Sequence, residues 1–533
     1  MFLRKSSGLV RAWGAYDAFI YNVYSSNPYV VWLYTTSLAC FFPKGNLILA
    51  TILSGITLYF MVAAYSMLVS VMPRAGGDYV WQSRVLGGVW GYMFCLTGWV
   101  IILFMWTPIF GQFLNWSAVV PTLIVLSYIL KNPALIKSAI WWNGRDGIFL
   151  SSIIQSIWWA IIIALGMRTY AKVQKWTFHI GLACLIPVIY VMATSSRAEF
   201  ASAYNAFMAS TFGISEAYSS AIKEAASLGL NKAWENLDVG ASFILLVPLL
   251  YFSMLYPNWG APLYGEVRGA SSMKVSLKSM AGANTFNIVV GSILLLLIFR
   301  LMGPEFYHSI NYVAWMGGEN APVFPFPSLL AASLVTRYPI LMLIMQLTAW
   351  IWLIGWGPCV FLSSTRVLFA MAFDRVLPDW VGKVTTRFRA PINALIIMFI
   401  GSLIITWLYC YTIFWTFTLD AMVVILVTYV FTCLSGVLLP YLKPHVYKGS
   451  PCEKYKIGKL HLLSLISGIY FVIGIWAIYR YIVDSRYGVN NPISGLFMIG
   501  TYIFCAILYF IHKWYRKRQG IEVELIYKEI PAE

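Results

Sequence analysis

Two stretches of the chain combine helix-breaking residues with polar side chains inside long apolar segments. The first contains Asn22 and then Ser25-Ser26-Asn27-Pro28, and the second runs from Ser253 through Tyr256-Pro257-Asn258-Trp259-Gly260 to Pro262. Proline lacks an amide hydrogen and clashes with the preceding helical turn, so a helix does not pass through it undisturbed. The chemistry available there is noncovalent, because freed amide groups bind an anionic group and freed carbonyl groups bind a cationic one.

The composition of the chain shows what surrounds these two stretches. Apolar residues make up 60% of the 533 residues, and charged residues make up 11%, whereas a soluble domain carries about 25% charged residues. This composition excludes a soluble enzyme and a disordered protein, and it predicts an all-α integral membrane protein. The net charge of +17 does not indicate nucleic acid binding, because the basic residues are spread over short loops between apolar runs.

Twelve apolar segments are long enough to be membrane-spanning helices, at roughly 20 residues each. They cover residues 10–41, 47–71, 89–113, 147–165, 173–192, 241–264, 281–301, 340–373, 391–408, 414–439, 462–482 and 492–511. A thirteenth run, residues 118–130, is short, and we interpret it as an external or re-entrant helix. When both termini are placed in the cytoplasm, Lys and Arg concentrate in the inner loops, as the positive-inside rule describes. We therefore expect cytoplasmic N- and C-termini, in a protein of the cell membrane.

The first and the sixth span are predicted to be discontinuous. In the first, we expect a half-helix that ends near Asn22, an unwound stretch, and a second half-helix with Asn27 as N-cap and Pro28 at its first position. In the sixth, we expect residues 255–260 to be unwound and Pro262 to begin a new half-helix. One break alone also fits an ordinary proline kink, but breaks at matching positions of two five-helix halves indicate an inverted-repeat transporter.

Short motifs in the order and topology of these spans resemble the amino acid–polyamine–organocation permease superfamily, which has the leucine-transporter-like fold. The motifs are Asp17-Ala18 with Asn22, Met72-Pro73-Arg74-Ala75-Gly76-Gly77-Asp78-Tyr79, residues 364–378 and, more weakly, Gly265-Glu266-Val267. The resemblance covers residues 10–439 and implies a 5+5 inverted repeat followed by helices eleven and twelve. We therefore expect a transporter core at residues 1–440, with an external insertion at about 193–240, and helices eleven and twelve with a basic tail at residues 441–533.

The resemblance implies a secondary transporter that moves amino acids or related small amines by alternating access. We find no nucleophile–base set, metal-ligand cluster or nucleotide-binding motif in the sequence, so we expect no enzyme, no cofactor and no metal site. The expected partners are a small-molecule substrate, membrane lipids and a coupling ion. Two alternatives remain open. One is a polyamine or other organic-cation carrier, which needs an acid facing the cavity, either Asp17 or Glu266, and the other is a non-transporting subunit or sensor that reuses the fold.

We predict that the substrate binds between the two breaks. Its carboxylate is expected at the amides that begin the second half-helix, and its amine at carbonyls that end the first half-helix and at those of residues 253–256. Aromatic rings there either wall the pocket or only pack in the core. The predicted binding residues are Asn22, Val23, Tyr24, Ser25, Ser26, Asn27, Tyr29, Val30, Ser253, Tyr256, Asn258, Trp259 and Gly260. Many amino acid carriers of this superfamily have a Gly-Ser-Gly-like segment here, and its replacement leaves amines and other small organic solutes open as substrates.

Five charged or titratable residues are assigned to the gate and to coupling. Similar superfamily positions place Arg11 and Asp374 as an inner gate pair, although two solvated charges explain them equally well. Residues 355–359 of helix eight lack the hydroxyl groups that sodium-coupled relatives use, so we favour protons as the coupling ion and leave sodium open. The proton-coupling candidates are Asp17, His179 and Glu266. For His179, a packed and hydrogen-bonded imidazole is the competing interpretation.

Overall fold

The computed structural model describes residues 8–42, 44–230 and 238–528. Within these ranges the strands are Lys456–Ile457 and Leu460–His461, which pair antiparallel, and the other regular elements are helices. Ten helical segments of the described ranges are long and apolar enough to cross a bilayer. The predicted all-α polytopic membrane protein is confirmed at this level.

The N-terminal part of the chain contains ten α-helices. They are α1 (Ala15–Ser26), α2 (Val30–Ser37), α3 (Leu47–Val71), α4 (Asp78–Val85), α5 (Gly88–Leu96), α6 (Trp106–Leu114), α7 (Val120–Leu130), α8 (Ala134–Asn143), α9 (Arg145–Ala164) and α10 (Met167–Thr194). From α5 to α7 the helix continues through π-helical and 3-10 turns, so Gly88–Leu130 is one run of 43 residues. Residues 118–130 therefore extend the preceding helix and do not form the separate helix that we expected. At about 1.5 Å per residue the run is about 65 Å long, so it extends beyond the hydrocarbon core.

The remaining helices begin with two that lie in the predicted external insertion, α11 (Arg197–Phe212) and α12 (Ala217–Ser227). They are followed by α13 (Val239–Ala241), α14 (Val247–Met254), α15 (Met273–Met302), α16 (Pro304–Trp315), α17 (Pro327–Ala332), α18 (Pro339–Trp356), α19 (Cys359–Phe373), α20 (Ile392–Tyr411), α21 (Thr418–Leu442), α22 (Pro444–Tyr447), α23 (Leu462–Val483), α24 (Pro492–Arg518) and α25 (Val523–Ile526). Large apolar side chains on the outer faces of α10, α23 and α24 are exposed, as expected where a helix faces lipid.

The first span is interrupted, but its first half-helix ends four residues later than we predicted. Helix α1 continues past Asn22 to Ser26, and α2 begins at Val30 with Tyr29 as its N-cap. The expectation that Asn27 caps the second half-helix is wrong: Asn27 has a φ of 34° and is the C-cap of α1. Its amide donates to the carbonyls of Val23 and Tyr24, each at 3.0 Å. Asparagine tolerates the left-handed conformation, which ends a right-handed helix.

The sixth span is interrupted where the sequence predicted. Helix α14 ends at Met254, the next six residues are not helical and include a turn at residues 257–260, and Ala261–Glu266 form a 3-10 helix with Pro262 in its first turn. The new half-helix is thus a 3-10 helix and not an α-helix. The first half-helix α1, together with α14 and α19, is almost entirely buried, so both interruptions lie inside the protein and away from lipid.

Candidate functional site

A buried hydrogen bond joins the first half-helix α1 to the second break. The side-chain oxygen Oδ1 of Asn22, which is fully buried on α1, accepts a hydrogen bond of 2.9 Å from the amide of Gly260 in the second break. A Cβ atom at position 260 would lie 2.7 Å from that oxygen, so glycine permits the approach. Because Asn22 lies within α1, it acts through its side chain and not through a freed carbonyl group.

The first break frees fewer backbone groups than we predicted. The carbonyls of Val23 and Tyr24 accept from the amide of Asn27, and the amide of Tyr29 donates to the side-chain oxygen of Asn27 at 3.2 Å. Pro28 has no amide hydrogen, so it cannot continue the helical ladder. The carbonyls of Ser25 and Ser26 are therefore the groups at the end of α1 that face this gap.

The second break is held against the N-terminal turn of α19. The indole nitrogen of Trp259 donates to the carbonyl of Cys359 at 3.0 Å, and the hydroxyl of Ser363 donates to the carbonyl of Trp259 at 2.8 Å. The Tyr21 hydroxyl of α1 reaches the same two residues, at 2.9 Å from the Cys359 carbonyl and 2.7 Å from the Ser363 hydroxyl. Sequence reasoning missed Tyr21, because one more tyrosine in an apolar segment carries no distinguishing signal.

The aromatic residues predicted to wall the pocket separate into two groups. The rings of Tyr256 and Trp259 lie 5.2 Å apart, and Trp106 contacts both, at 5.3 and 6.0 Å. The ring of Tyr24 instead packs against Trp352 at 5.3 Å, and its hydroxyl donates to Thr177 of α10. The structure thus brings Tyr256 and Trp259 together and places Tyr24 on the other side of α1.

The predicted binding residues Ser26 and Tyr256 carry buried hydroxyl groups that their neighbours do not satisfy. The hydroxyl groups of Ser26 and Tyr256 have no hydrogen-bond partner within the described ranges, and both residues are at most 2% exposed. By contrast, the hydroxyl of Ser253 donates to the carbonyl of Leu250, inside its own helix. Buried polar groups are nearly always paired in native proteins. The unpaired hydroxyls beside the two breaks therefore favour a polar guest at this place.

The proposed gate residue Asp374 binds a cation that we did not predict. Both of its carboxylate oxygens accept from Arg84 of α4, at 2.5 and 2.8 Å, and the two side chains are buried. Arg11 is exposed, and its carbonyl accepts from the guanidinium group of Arg268. In this conformation Asp374 is thus bound by Arg84. The Arg11–Asp374 gate pair, which we expect to form in one state of a cycle and break in another, stays a prediction.

The three proton-coupling candidates lie in two places, and each has a partner. Asp17 lies 2.8 Å from the ammonium group of Lys175 on α10, and one turn further His179 shares a hydrogen bond of 2.9 Å with Tyr16. Glu266 ends the 3-10 helix and accepts two hydrogen bonds, of 2.7 and 3.3 Å, from Arg366 of α19. The Glu266–Arg366 pair is almost completely buried, whereas Lys175 is half-exposed.

The two glycines of the segment before α4 join it to the second break. The amide of Gly76 donates to the carbonyl of Pro262 at 2.9 Å. Gly77 has a φ of +40°, and a Cβ atom there would lie 2.7 Å from the carbonyl carbon of Ala261, so only glycine fits. The next residue, Asp78, is fully buried, and sequence reasoning did not assign it a role although it stands in the quoted motif.

An open cleft of about 490 Å³ leads toward the end of the second break. Glu266 lies at the cleft, which is also lined by Val10, Arg168 and residues 387–389. By our predicted topology these segments face the cytoplasm. The cleft therefore brings water close to the end of the 3-10 helix.

Comparisons with known proteins identify the family of the chain. The family model for amino acid permeases matches residues 35–524, which include the last two long helices, α23 and α24, that our motifs did not cover. No curated protein matches the chain. The match extends over most of the chain, and the described helices are those of a polytopic membrane protein. The protein therefore belongs to the amino acid permease family, which is a family of membrane transporters and not of enzymes.

Proposed function

We propose that the protein is a secondary active transporter that moves amino acids or related small amines by alternating access. The observation that carries the proposal is the contact between α1 and the second break, where the side chain of Asn22 binds the amide of Gly260, together with the unpaired hydroxyls of Ser26 at the end of α1 and of Tyr256 in the second break. Irregular backbone inside a membrane protein is tolerated where it lines a cavity or is covered by protein. A half-helix that contacts the break of a second helix in this way forms a site for a small polar guest.

The architecture that we propose has twelve membrane-spanning helices in the cell membrane, with both termini in the cytoplasm. The ten long apolar segments account for ten of them, and the two broken helices account for the first and the sixth. The first ten form the 5+5 inverted repeat, residues 1–440, with the external insertion at about 193–240. Helices α23 and α24 are then the eleventh and twelfth, within residues 441–533.

A zwitterion fits the site better than a polyamine does. The carbonyl groups of Ser25 and Ser26, at the negative end of α1, suit an ammonium group, and the N-terminal turn of α2 suits a carboxylate. A polycation carrier needs an acid that is free to face the cavity. Of the two acids suggested for that role, Asp17 is paired with Lys175 and Glu266 with Arg366.

The pocket that we propose is closed on one side by aromatic rings. The rings of Tyr256 and Trp259 both belong to the second break, and Trp106 packs against each of them. An ammonium group is attracted to the face of such rings. The proposed binding residues are thus Asn22, Ser25, Ser26, Tyr256 and Trp259, with Asn27 and Tyr29 shaping the first break.

Uptake into proteoliposomes tests the proposal. The purified protein is reconstituted and offered a panel of labelled amino acids and amines, with a proton gradient and a sodium gradient imposed separately. We expect saturable uptake of at least one amino acid that the proton gradient increases. Uptake of the whole panel at the level of protein-free liposomes would show that the proposal is wrong.

A pair of tryptophan variants distinguishes a specific effect on the proposed binding site from a general effect of removing a tryptophan ring. Trp259→Ala removes a ring from the proposed pocket, and we expect uptake to fall at least tenfold. Trp176→Ala removes a ring that is 70% exposed on α10, where it faces lipid. We expect this control to keep uptake near that of the unchanged protein.

A further inference from the structure

Asp78 is a fully buried acid whose neighbours in the described part of the chain offer hydrogen bonds but no positive charge. The oxygen Oδ1 accepts from the hydroxyl of Tyr65 on α3 and, at 2.6 Å, from the hydroxyl of Thr432 on α21. The second oxygen, Oδ2, has no hydrogen-bond partner in the part of the chain that the structure describes. The indole ring of Trp99 lies beside the carboxyl. A carboxylate buried in this way is costly unless it is paired with a cation or takes up a proton.

The titratable side chains that face Asp78 from the surrounding elements are all neutral when protonated. They are Tyr65 on α3, Cys95 on α5, and Tyr429 and Cys433 on α21. Because none of these groups carries a positive charge, the field around the carboxyl does not hold it in the charged form.

The arginine of α4 and the arginine of α19 form ion pairs with carboxylates other than that of Asp78. On α4 itself, Arg84 binds Asp374, and on α19, Arg366 binds Glu266. In sequence, Asp78 lies between the membrane-spanning segments Leu47–Val71 and Gly88–Leu130. Burial raises the pKa of its carboxyl to about 6, while hydrogen bonds from Thr432 and Tyr65 oppose the rise. A change in hydration at this place therefore changes the protonation of the carboxyl near neutral pH.

Asp78 is also mechanically joined to the second break. Its two predecessors in the chain, Gly76 and Gly77, contact the backbone of Pro262 and Ala261 directly. In addition, the Trp99 ring beside the carboxyl lies 4.7 Å from the ring of Trp259. A displacement of the second break thus moves the backbone that carries Asp78, while Tyr65 and Thr432 belong to other helices.

We propose that Asp78 is the proton-binding site of the transport cycle. The carboxyl group holds a proton while α3, α4 and α21 seal it from water. When the second break moves, water reaches the carboxyl, and the proton leaves to it as hydronium, so that the carboxylate remains until the next proton arrives. This inference rests on the proposed transport function, and it assigns the coupling role to Asp78 in place of Asp17, His179 and Glu266.

Replacement by asparagine tests the assignment. Asp78→Asn keeps the size of the side chain and cannot release a proton. We expect the variant to lose accumulation driven by a proton gradient, at least tenfold, and to lose the pH dependence of uptake. We also expect it to keep the exchange of labelled for unlabelled substrate at equal pH on both sides, because exchange requires substrate binding and the conformational change but no net proton movement.

A second buried acid provides the matched control. Asp420, at the start of α21, is 1% exposed, and its two carboxylate oxygens have no hydrogen-bond partner in the described ranges. It lies beside Ser494, at the start of α24, and not at the second break. We expect Asp420→Asn to keep both proton-driven accumulation and exchange. Equal losses in the two asparagine variants would overturn the assignment to Asp78.

A milder variant decides the question if Asp78→Asn does not fold. Tyr65→Phe removes one hydrogen bond to the carboxyl, which stabilises its charged form, so the carboxyl is protonated at higher pH. We expect the pH of half-maximal uptake to rise by about half a unit to one unit. An unchanged midpoint would overturn the proposal, as would proton-driven uptake by Asp78→Asn with unchanged pH dependence.

The outcomes also separate this inference from the proposed function. Uptake that sodium alone drives, in the unchanged protein, would leave the transport function intact and overturn the role of Asp78. An absence of both uptake and exchange in the unchanged protein would instead overturn the transport function itself.

Discussion

The two breaks interrupt their helices by different means. The first spans Asn27 to Tyr29 and is made locally, by a left-handed asparagine whose side chain binds the amide two residues on. The second spans residues 255–260 and is held by three other parts of the molecule. These are Asn22 of α1 and Ser363 of α19, which bind the break itself, and Gly76 in the segment before α4, which binds Pro262 in the 3-10 helix that follows the break. The first break is therefore a property of its own sequence, whereas the second depends on neighbours and transmits its displacement to them.

The largest expected difference between the two regions concerns their ion pairs. Glu266→Gln leaves Arg366 buried without its partner next to the second break, and we expect it to lower the free energy of unfolding by about 3–5 kcal/mol. Asp17→Asn breaks a pair whose lysine is 41% exposed, beside the first half-helix, and we expect less than about 1 kcal/mol. Equilibrium unfolding in mixed micelles measures both. Equal losses would contradict the contrast between the two regions.

The next largest effect is expected at the joint between the Gly76-Gly77 segment and the second break. Gly77→Ala forces a methyl group against the backbone of Ala261 in a conformation that alanine rarely adopts, so we expect a loss of about 3 kcal/mol, with uptake falling to background. Gly213→Ala is the matched control, because Gly213 also has a positive φ but has open space around it. We expect the control to lose about 1 kcal/mol and to keep uptake. A loss of stability at Gly77 no larger than that at Gly213 would show that the close approach of Gly77 to Ala261 does not constrain the backbone.

A moderate effect is expected when the hydrogen bond between Asn22 of α1 and Gly260 of the second break is removed. Asn22→Ala leaves the buried amide of Gly260 without its acceptor, which we expect to cost about 1–2 kcal/mol and to reduce uptake severalfold. Asn205 also accepts from a backbone amide, that of Tyr218, but in the external insertion and with partial exposure. Asn205→Ala therefore serves as the control, with unchanged uptake expected. Similar uptake in both variants would argue against a functional contact between the breaks.

The smallest effect tests whether the first break is local. Asn27→Gly accepts a φ of 34° without strain, so we expect a change of a few tenths of a kcal/mol. Asn27→Ala does not favour that conformation, and we expect a loss of about 1 kcal/mol. The comparison of the two unfolding midpoints, in the same detergent, gives the answer. A larger loss in the glycine variant would mean that contacts of the side chain, and not the backbone, hold this break.

The positions of the breaks could be predicted from sequence because the prolines that interrupt the two helices act locally, although the second break is then held in place by its neighbours. Pro28, Pro257 and Pro262 interrupt helices wherever they stand, and the spacing of apolar runs follows the thickness of a bilayer. The end of α1 was misplaced because the left-handed conformation of Asn27 lets the helix continue to Ser26.

The partners of the charged residues could not be predicted in the same way. Arg84 and Asp374 are 290 residues apart in sequence, and nothing local to either indicates the pair. Asp78 is similar: its motif was visible, but the absence of a cation near it is a property of the packed helices α3, α4 and α21. Ion pairs and protonation states depend on what surrounds a side chain, so they can be derived only when the fold is known.

The contact between Gly76 and Pro262 joins main chain to main chain. No side chain takes part in it, so alanine scanning of the surrounding side chains would not detect this connection. The rings of Tyr256 and Trp259, by contrast, are open to redesign. In the proposed transporter, substrate selectivity depends on these two side chains, whereas coupling depends on a backbone contact, so substitutions of the rings are expected to change the substrate without breaking the connection to Asp78.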